Sequence, residues 1–462
     1  MSFERFLFTE LSVGRVMALV DFIKQYVGMV AWDPAVQISR KYVLSLFRKI
    51  NVGQLRVGEG KDIATYGKAS RSPLEPHSEI TVHKEAFWVR MLLFADMGFA
   101  ESYMLGEISC PDLTSFFEIF IRNRDQLSDG TTLASSISLA ISSLARTTNT
   151  LANSRLNVSA HYDISNEMFA AFLSPDMTYS CAIWRPKSDP KSSVESLEQA
   201  QQTKLKHIID SAHIKSTDHI LEIGTGWGSF AILAVNTTGC RVTSLTLSAE
   251  QKELAEQRIA EAGLAENIEV LLCDYRACPT PKDTLYDKII SIEMLEHVGK
   301  EYLKTYFECV DRLLKPNGGI AVFQCSTMPN TRYENYSRTT DFIRKYIFPG
   351  CHLPTVSFLF SSIQEGSQGR LIPSAFTNIG AHYSRTLREW RKAFLRNFDA
   401  QIKPALLAEH DDMTDSDVEL FKRKWEYYFT YCEAGFRTAT LGDAIITVGR
   451  EGCEELAEGV AL

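Results

Sequence analysis

Long apolar runs are missing from this sequence. No stretch of the 462 residues approaches the roughly 18 to 20 uninterrupted apolar residues that a spanning helix requires. The apolar start, MSFERFLFTELSVGRVMALVDFIKQYVGMVAW, is broken by Glu4, Arg5, Glu10, Arg15, Asp21 and Lys24. It also lacks the order of basic start, apolar block and small-residue cleavage site of a secretory signal. It reads as an amphipathic helix, packed on its domain or lying along a membrane surface. Paired cysteines are missing too. The 10 cysteines are scattered, and Cys240, Cys273 and Cys325 sit in apolar, strand-like surroundings. Cys273 and Cys278 are close together but have no His/Cys cluster nearby, so no metal is expected. Scattered thiols point to a reducing, cytoplasmic setting. The N-x-S/T triplets at Asn157, Asn236 and Asn335 then carry no meaning. Finally, there is no basic excess. Lys and Arg number 49 against 57 Asp and Glu, a net charge of −8, which argues against nucleic acid as the main partner.

What is present is a soluble globular composition, 45% hydrophobic and 23% charged, in a chain long enough for two or three domains. Residues from about 50 to 125 read as a small mixed domain: HSEITVHKEAFWVRMLLFADMGFAESYMLGE opens with alternation (Ile80, Val82) and continues with helical periodicity. The Ser-, Thr- and Ala-rich stretch Asp129 to Asn157 reads as a connecting helix with a loose end. The expected division is 1–150, an N-terminal domain with linker, and 151–462, a catalytic domain.

Beyond about residue 195, apolar strands alternate with helices. Strand-like runs are His219–Ile223, Arg241–Leu245, Ile268–Leu272, Lys288–Ile292 and Ile320–Gln324, with helices at Ala249–Ala262 and Glu301–Leu314. This alternation predicts an α/β fold with a parallel, doubly wound sheet. From about Met328 to Ser416 aromatics and prolines break the rhythm, and the length predicts an inserted helical lid.

The turn in DHILEIGTGWGSFAILAV runs from apolar residues through Glu222 to Gly224, Gly226 and Gly228, then into a helix. Glycines there let the backbone approach a ligand closely. NAD is the standard rival ligand. Two details favour S-adenosylmethionine: the spacing is G-x-G-x-G, and an acid stands two residues before the first glycine. Asp274, in CDYRA after the third strand, is placed to meet an adenine edge. The second strand ends VTSLTLSAEQ, with no acid where a ribose-binding carboxylate is expected, so Thr246 and Gln251 would have to hold the ribose.

Several long motifs resemble the cyclopropane-fatty-acyl-phospholipid synthases and mycolic acid cyclopropane synthases. They are HYDISNEMFAAFLSPDMTYSCAIW, LEIGTGWGSFAI, VTSLTLSAEQ, SIEMLEHVGKEYLKTYF, RLLKPNGG, YIFPGCHLP, IGAHYSRTLREWRKAF and YYFTYCEAGF, which together span roughly Ser159 to Val448. A weaker likeness runs through PHSEITVHKEAFWVRMLLFADMGFAESYM, which resembles the N-terminal domain of the longer bacterial members. The resemblance implies a Rossmann-like class I methyltransferase sheet and an S-adenosylmethionine-dependent reaction on the unsaturated acyl chain of a phospholipid. By motif match Tyr179, Ser180, Ile220 to Gly228 (with Trp227), Thr246, Leu247, Gln251, Tyr275 and Arg276 would hold the cofactor. The family's bicarbonate ion, by the same match, would be held by Cys181, Glu296, Tyr428 and the residue at the fifth strand's histidine position. His161, Tyr162 and Asp163 would shape the entrance. A homo-oligomer is compatible with the sequence but not specified by it.

The implied chemistry follows from elementary constraints. An alkene is a weak nucleophile and needs a methyl sulfonium held in line with its π face. The resulting carbocation must be kept from water, and aromatic rings, as in RYENYSRTTDFIRKYIFPG, can line its pocket; core packing is their other reading. A small base then takes a proton from the new methyl group and closes a ring. Cys181 has no certain neighbouring cation, which disfavours a nucleophilic thiolate. Glu296 could equally be a first-turn helical acid. Glu293 is a weaker candidate for the same shell, His297 reads as structural support, and Tyr428 is preferred over Tyr427 on its spacing to Cys432.

Gln324 departs from the pattern, since it stands where the family has the bicarbonate-binding histidine. An amide can hold an anion but cannot relay a proton. Ring closure is therefore one expected outcome, beside a methylated, methylene-bearing or hydroxylated chain. Methylation of a soluble alkene such as a terpenoid or polyketide, and a non-catalytic cofactor-binding scaffold, are the other readings.

Overall fold

The computed structural model describes residues 32–68, 72, 75–127, 165–279 and 285–457. The N-terminal amphipathic stretch, the Ser/Thr-rich connector, the boundary near 150 and the trio His161, Tyr162 and Asp163 all lie outside the described residues. Two compact units form: one ends at residue 161 and adds Glu419–Tyr427; the other comprises Tyr162–Val418 and Tyr428–Leu462. Among the described residues, no helix is long and apolar enough to cross a membrane.

In the first unit, strands β1 (Gln54–Glu59), β2 (Asp62–Gly67), β3 (His77–Val82) and β4 (Ile108–Ser109) form a sheet in the order β2-β1-β3-β4. The helix Ala86–Met104 breaks at Ala95, whose φ is 48°. Its second half sets Phe99 in a stack on Phe116, ring centroids 4.1 Å apart.

The second unit holds β5 (His219–Ile223), β6 (Arg241–Thr246), β7 (Ile268–Leu272), β8 (Lys288–Ile292), β9 (Ile320–Thr327), β10 (Ile372–Asn378) and β11 (Gly442–Gly449). Their order is β10-β11-β9-β8-β5-β6-β7. The strands β5 to β9 pair in parallel, as their alternation with helices predicts. β11 and β10 are antiparallel additions at one edge. This refines the expected fold in two details: the edge of the mostly parallel sheet is antiparallel, and the insertion carries β10 beside its helices. The fifth strand also runs on to Thr327 instead of stopping at Gln324, since β11 pairs along its whole length (Gly442 opposite Thr327). The helices expected at Ala249–Ala262 and Glu301–Leu314 form at Ala249–Glu261 and Leu303–Leu313, the latter after a short turn at Lys300–Tyr302.

These pairings fix where chemistry can occur. The parallel partner β8 ends at Ile292 opposite Gln324, while β11 continues beside β9. Alternation turns Ala321, Phe323 and Cys325 into the core with Ala444 and Ile446. Gln324 and Ser326 therefore face the other side, with Asp443 opposite Ser326. Carboxyl ends of parallel strands, where the connection order changes, are the usual place for a ligand.

Behind the sheet, the helix Leu303–Leu313 buries Tyr306, Phe307, Val310 and Leu313 and is covered by the helix Val356–Gly366. A Cβ at Gly366 would stand 2.6 Å from the Lys304 carbonyl oxygen and 2.7 Å from the Phe307 Cβ. Gly366→Ala should lower stability by about 1–3 kcal/mol by forcing these helices apart. Chemical denaturation monitored by circular dichroism checks this.

Candidate active site

Every site residue in the described chain lies in the second unit. The glycine turn after β5 leaves the sheet with Gly224 at φ 104°, Gly226 at 51° and Gly228 at 83°, all in the left-handed region that favours glycine. A Cβ on Gly224 would also press on Met294, at 3.3 Å. Gly228 starts the helix Ser229–Thr238, whose free N–H groups face the turn. A cavity of about 250 Å³ opens here, and Tyr179, Ser180, Glu222, Gly224, Gly226, Trp227 and Gln251 line it together. Lys204, Glu293 and His297 line it as well.

Side chains lock the cofactor-facing segments. Trp227 Nε1 donates to Asn166 Oδ1 (2.8 Å). Thr246 Oγ1 donates to Gln251 Oε1 (3.1 Å), which unites the pair expected to replace the missing ribose acid. Glu222 accepts from Ser244 Oγ (2.5 Å), and burial pushes its carboxyl up to about 8. Leu247 is exposed beside this region. Asp274 is different: its carboxylate takes two bonds from the Arg276 guanidinium, which hold its pKa below the ordinary carboxylate value. Asp274, Tyr275, Arg276 and Leu247 do not line the cavity. The adenine contact expected of Asp274 would have to share the carboxylate with Arg276.

The strap Tyr179-Ser180-Cys181 crosses above the sheet. From the helix Leu197–Ser211, Gln201 Nε2 donates to the Ser180 carbonyl (2.7 Å) and Lys204 Nζ to Ser180 Oγ (2.6 Å). From the helix Gly380–Asn397, Thr386 Oγ1 accepts from Trp184 Nε1 (3.0 Å). The Cys181 thiol is fully buried and its pKa is raised by desolvation, so it is no thiolate nucleophile; its backbone N–H is the group aimed at the site. Tyr179 and Tyr428 share a hydroxyl–hydroxyl bond of 3.0 Å. Tyr427 instead packs in the first unit, its ring 5.1 Å from Phe117. Phe348 stands 5.8 Å from Tyr428 and 5.7 Å from the His297 ring, and Trp390 stands 5.0 Å from Tyr179.

Beneath the strap lies a dry cluster of acids. Glu293 Oε1 accepts from the Cys181 N–H (2.7 Å) and Gln324 Nε2 (2.8 Å), and its Oε2 accepts from the Tyr383 hydroxyl (2.7 Å). Glu296 Oε1 accepts from the Ser326 N–H (2.5 Å). Asp443 accepts from Ser326 Oγ (3.2 Å) and lies against Glu293 and Gln324. Burial, with Glu293 as a neighbour, pushes Glu296 up to about 8 and Asp443 well above the carboxylate range. Three buried acceptors, Glu296 Oε2, Gln324 Oε1 and Asp443 Oδ1, have no donor.

Lys204, Tyr383 and Asp443 escaped the sequence reading. Tyr383 was visible as part of the IGAHYSRTLREWRKAF motif, whereas Lys204 and Asp443 carried no local signal.

Residues 149–443 match the model of the mycolic acid cyclopropane synthetase family. The chain belongs to that family. It is 36% identical over 366 residues to the tuberculostearic acid methyltransferase UfaA1 of Mycobacterium tuberculosis, covering 77% of this chain and 79% of the relative. It is 33% identical over 362 residues to the cyclopropane-fatty-acyl-phospholipid synthase of Escherichia coli K12, covering 78% and 85%. Its fold matches that of the mycolic acid cyclopropane synthase CmaA1, solved with SAH and CTAB. The TM-score is 0.52 at 27% identity, over 64% of this chain and 97% of the other. The protein is thus an S-adenosylmethionine-dependent methyltransferase with a class I methyltransferase fold.

The bicarbonate implied by the resemblance does not fit these residues. The Cys181 and Gln324 donors already serve Glu293, Tyr428 is engaged with Tyr179, and the remaining orphan atoms are all acceptors.

The raised pKa of Glu296 has a thermodynamic consequence. The unfolded chain releases this proton near the ordinary value of about 4.3, while the folded chain keeps it up to about 8. Between these values the unfolded state binds fewer protons, so stability falls as pH rises. Glu296→Gln removes this contribution, and the decline in thermal midpoint across that window should be shallower in the variant. Differential scanning calorimetry of both proteins checks it.

Proposed function

We propose that this enzyme transfers the methyl group of S-adenosylmethionine to the double bond of an unsaturated fatty acyl chain of a phospholipid, and that a cyclopropane ring is the product. The observation that carries the reading is one cavity lined at one end by the glycine turn and at the other by Glu293, the member of the carboxyl cluster that reaches it. A methyl sulfonium bound over Gly224–Gly228 has a base within the same walls. Thr246 and Gln251 would hold the ribose through neutral hydrogen bonds, and the strap would close over the methionyl end.

Methyl addition leaves a cation on the neighbouring carbon. Tyr179, Tyr428, Phe348 and Trp390 form an aromatic group at this end of the sheet that excludes water and offers π faces to the charge. The acyl chain brings the enzyme to a membrane surface as a peripheral visitor. The related phospholipid synthase of Escherichia coli supports this substrate class by name.

A second reading, a methyl or methylene branch without ring closure, is favoured by Gln324. A neutral amide occupies the position where the resemblance puts a histidine, and the 36%-identical relative is named a tuberculostearic acid methyltransferase. Both routes share every step up to the cation.

Incubation with S-adenosylmethionine deuterated in its methyl group and monounsaturated phospholipid vesicles separates them. A ring or a methylene branch keeps two of the three deuterons, and NMR distinguishes these products; a methyl branch whose cation loses a proton from a neighbouring chain carbon, or is captured by water, keeps all three. Label entering a soluble terpenoid or polyketide alkene, with none in lipid, would overturn the proposal. Gln324→His should leave S-adenosylhomocysteine affinity unchanged. It should lower turnover roughly 10- to 100-fold or shift the product ratio, the cost of disturbing one hydrogen bond to a buried charge. Calorimetry with lipid analysis checks both.

A further inference from the structure

We propose that Glu293 is the resident base of this reaction, its carboxylate standing in for an exogenous bicarbonate, so that the enzyme turns over without that ion. The inference rests on the methyl transfer to an alkene proposed above.

The geometry concerns a single side chain. Glu293 follows the last residue of β8, and its φ of 49° is rare for a residue with a Cβ. Its own N–H donates to the Gln324 carbonyl at 2.8 Å, and this turn returns the carboxylate to the mouth of β9. Three donors from separate parts of the chain then converge on it: the Cys181 N–H, the Gln324 amide and the Tyr383 hydroxyl, at 2.7 to 2.8 Å. Two of these belong to residues that the resemblance assigns to the ion. An oxyanion is therefore already in place, covalently attached and preorganised.

The neighbouring acids argue the same way. A free bicarbonate would meet three bare acceptor atoms, and each of those lacks a proton rather than another oxygen. Protons on Glu296 and Asp443 supply the missing donors, and Asp443 lies where its proton reaches Glu293 and the Gln324 amide. Burial raises the Glu293 carboxyl as well, but its three donors oppose that rise, and on this proposal it is the acid of the three that carries the negative charge. The buried Lys204 amine, bonded to Ser180 in the same cavity, has its pKa lowered by desolvation, and the nearby Glu293 charge opposes that shift. Gln324 then ceases to be a defect: a neutral amide suffices to hold a carboxylate that cannot diffuse away, and no cationic histidine is needed to capture one.

In the proposed step, a C–H bond of the donated methyl group breaks. Its electron pair forms the bond to the cationic carbon that closes the ring, and the proton passes to the Glu293 carboxylate. Cofactor and product leave as neutral S-adenosylhomocysteine and cyclopropane, and Glu293 returns its proton to water when the site opens. If a hydride shift first moves the cation to the methyl-bearing carbon, loss of the same proton gives a methylene branch instead.

The test compares wild type, Glu293→Gln and Glu293→Gly, assayed with labelled S-adenosylmethionine and monounsaturated phospholipid vesicles. Buffers are either purged of carbon dioxide or supplemented with bicarbonate. Wild type should turn over equally in both. Glu293→Gln should lose about 10²- to 10⁴-fold in either buffer, with S-adenosylhomocysteine affinity retained. Glu293→Gly should lose as much when purged and regain at least about tenfold with bicarbonate, which enters the space vacated by the side chain. A wild type that depends on bicarbonate, or a Glu293→Gln variant with wild-type turnover, would overturn the proposal. A second measurement stands apart from the lipid substrate. Carbon-13 NMR of labelled bicarbonate with the S-adenosylhomocysteine complex should show binding to Glu293→Gly and none to wild type. Binding to wild type overturns the inference even if the acyl substrate is wrong, whereas failed lipid labelling with no ion bound counts against the substrate alone.

Discussion

A carboxylate sealed away from water must be met by donors, or it takes up a proton and loses its charge. Glu293 meets this requirement with donors from a strap, a strand and a helix. Each donor has to be held where it is. The strap is pinned by Gln201, Lys204 and Thr386, Gln324 by the strand pairings of β9, and Tyr383 by the helix that starts at Gly380. Much of what looks like scaffolding in the second unit thus serves one negative charge.

The antiparallel edge of the sheet is part of the same arrangement. Had the sheet stopped at β9, the fifth strand would have frayed into solvent near Gln324. Pairing with β11 carries it to Thr327 and brings Asp443 opposite Ser326, which completes the acidic cluster. The cost is a set of carboxyls close enough to raise one another's pKa, with burial pushing Glu296 up to about 8 and Asp443 and Glu293 above the ordinary carboxylate value. The Glu293 side of the cluster meets the cavity opposite the glycine turn, so the proposed methyl donor and base would approach from opposite ends of one space.

Much of this was legible in the sequence. The strand–helix alternation gave the parallel core of the sheet, and the G-x-G-x-G turn gave the cofactor end of the cavity, because both are local patterns. Gln324 was recognisable as an exception at a strand tip. What the pattern could not carry was contact over distance. Glu293 and its partners Cys181 and Tyr383 are 112 and 90 residues apart. The left-handed turn that aims Glu293 has no residue signature, since it is not a glycine. Asp274 differs in being paired locally: its guanidinium partner, Arg276, is two residues away in the sequence. The antiparallel β10 was hidden in an insertion whose aromatics and prolines read as a lid.

The claim that one built-in carboxylate takes the place of a borrowed ion can be seen directly. A crystal structure with S-adenosylhomocysteine, grown in the presence of bicarbonate, would resolve what stands between the Cys181 N–H and the Gln324 amide. The account predicts the Glu293 carboxylate there, hydrogen-bonded to both and to Tyr383, with no further anion. A planar three-oxygen ion on those donors, with Glu293 turned away, would contradict it.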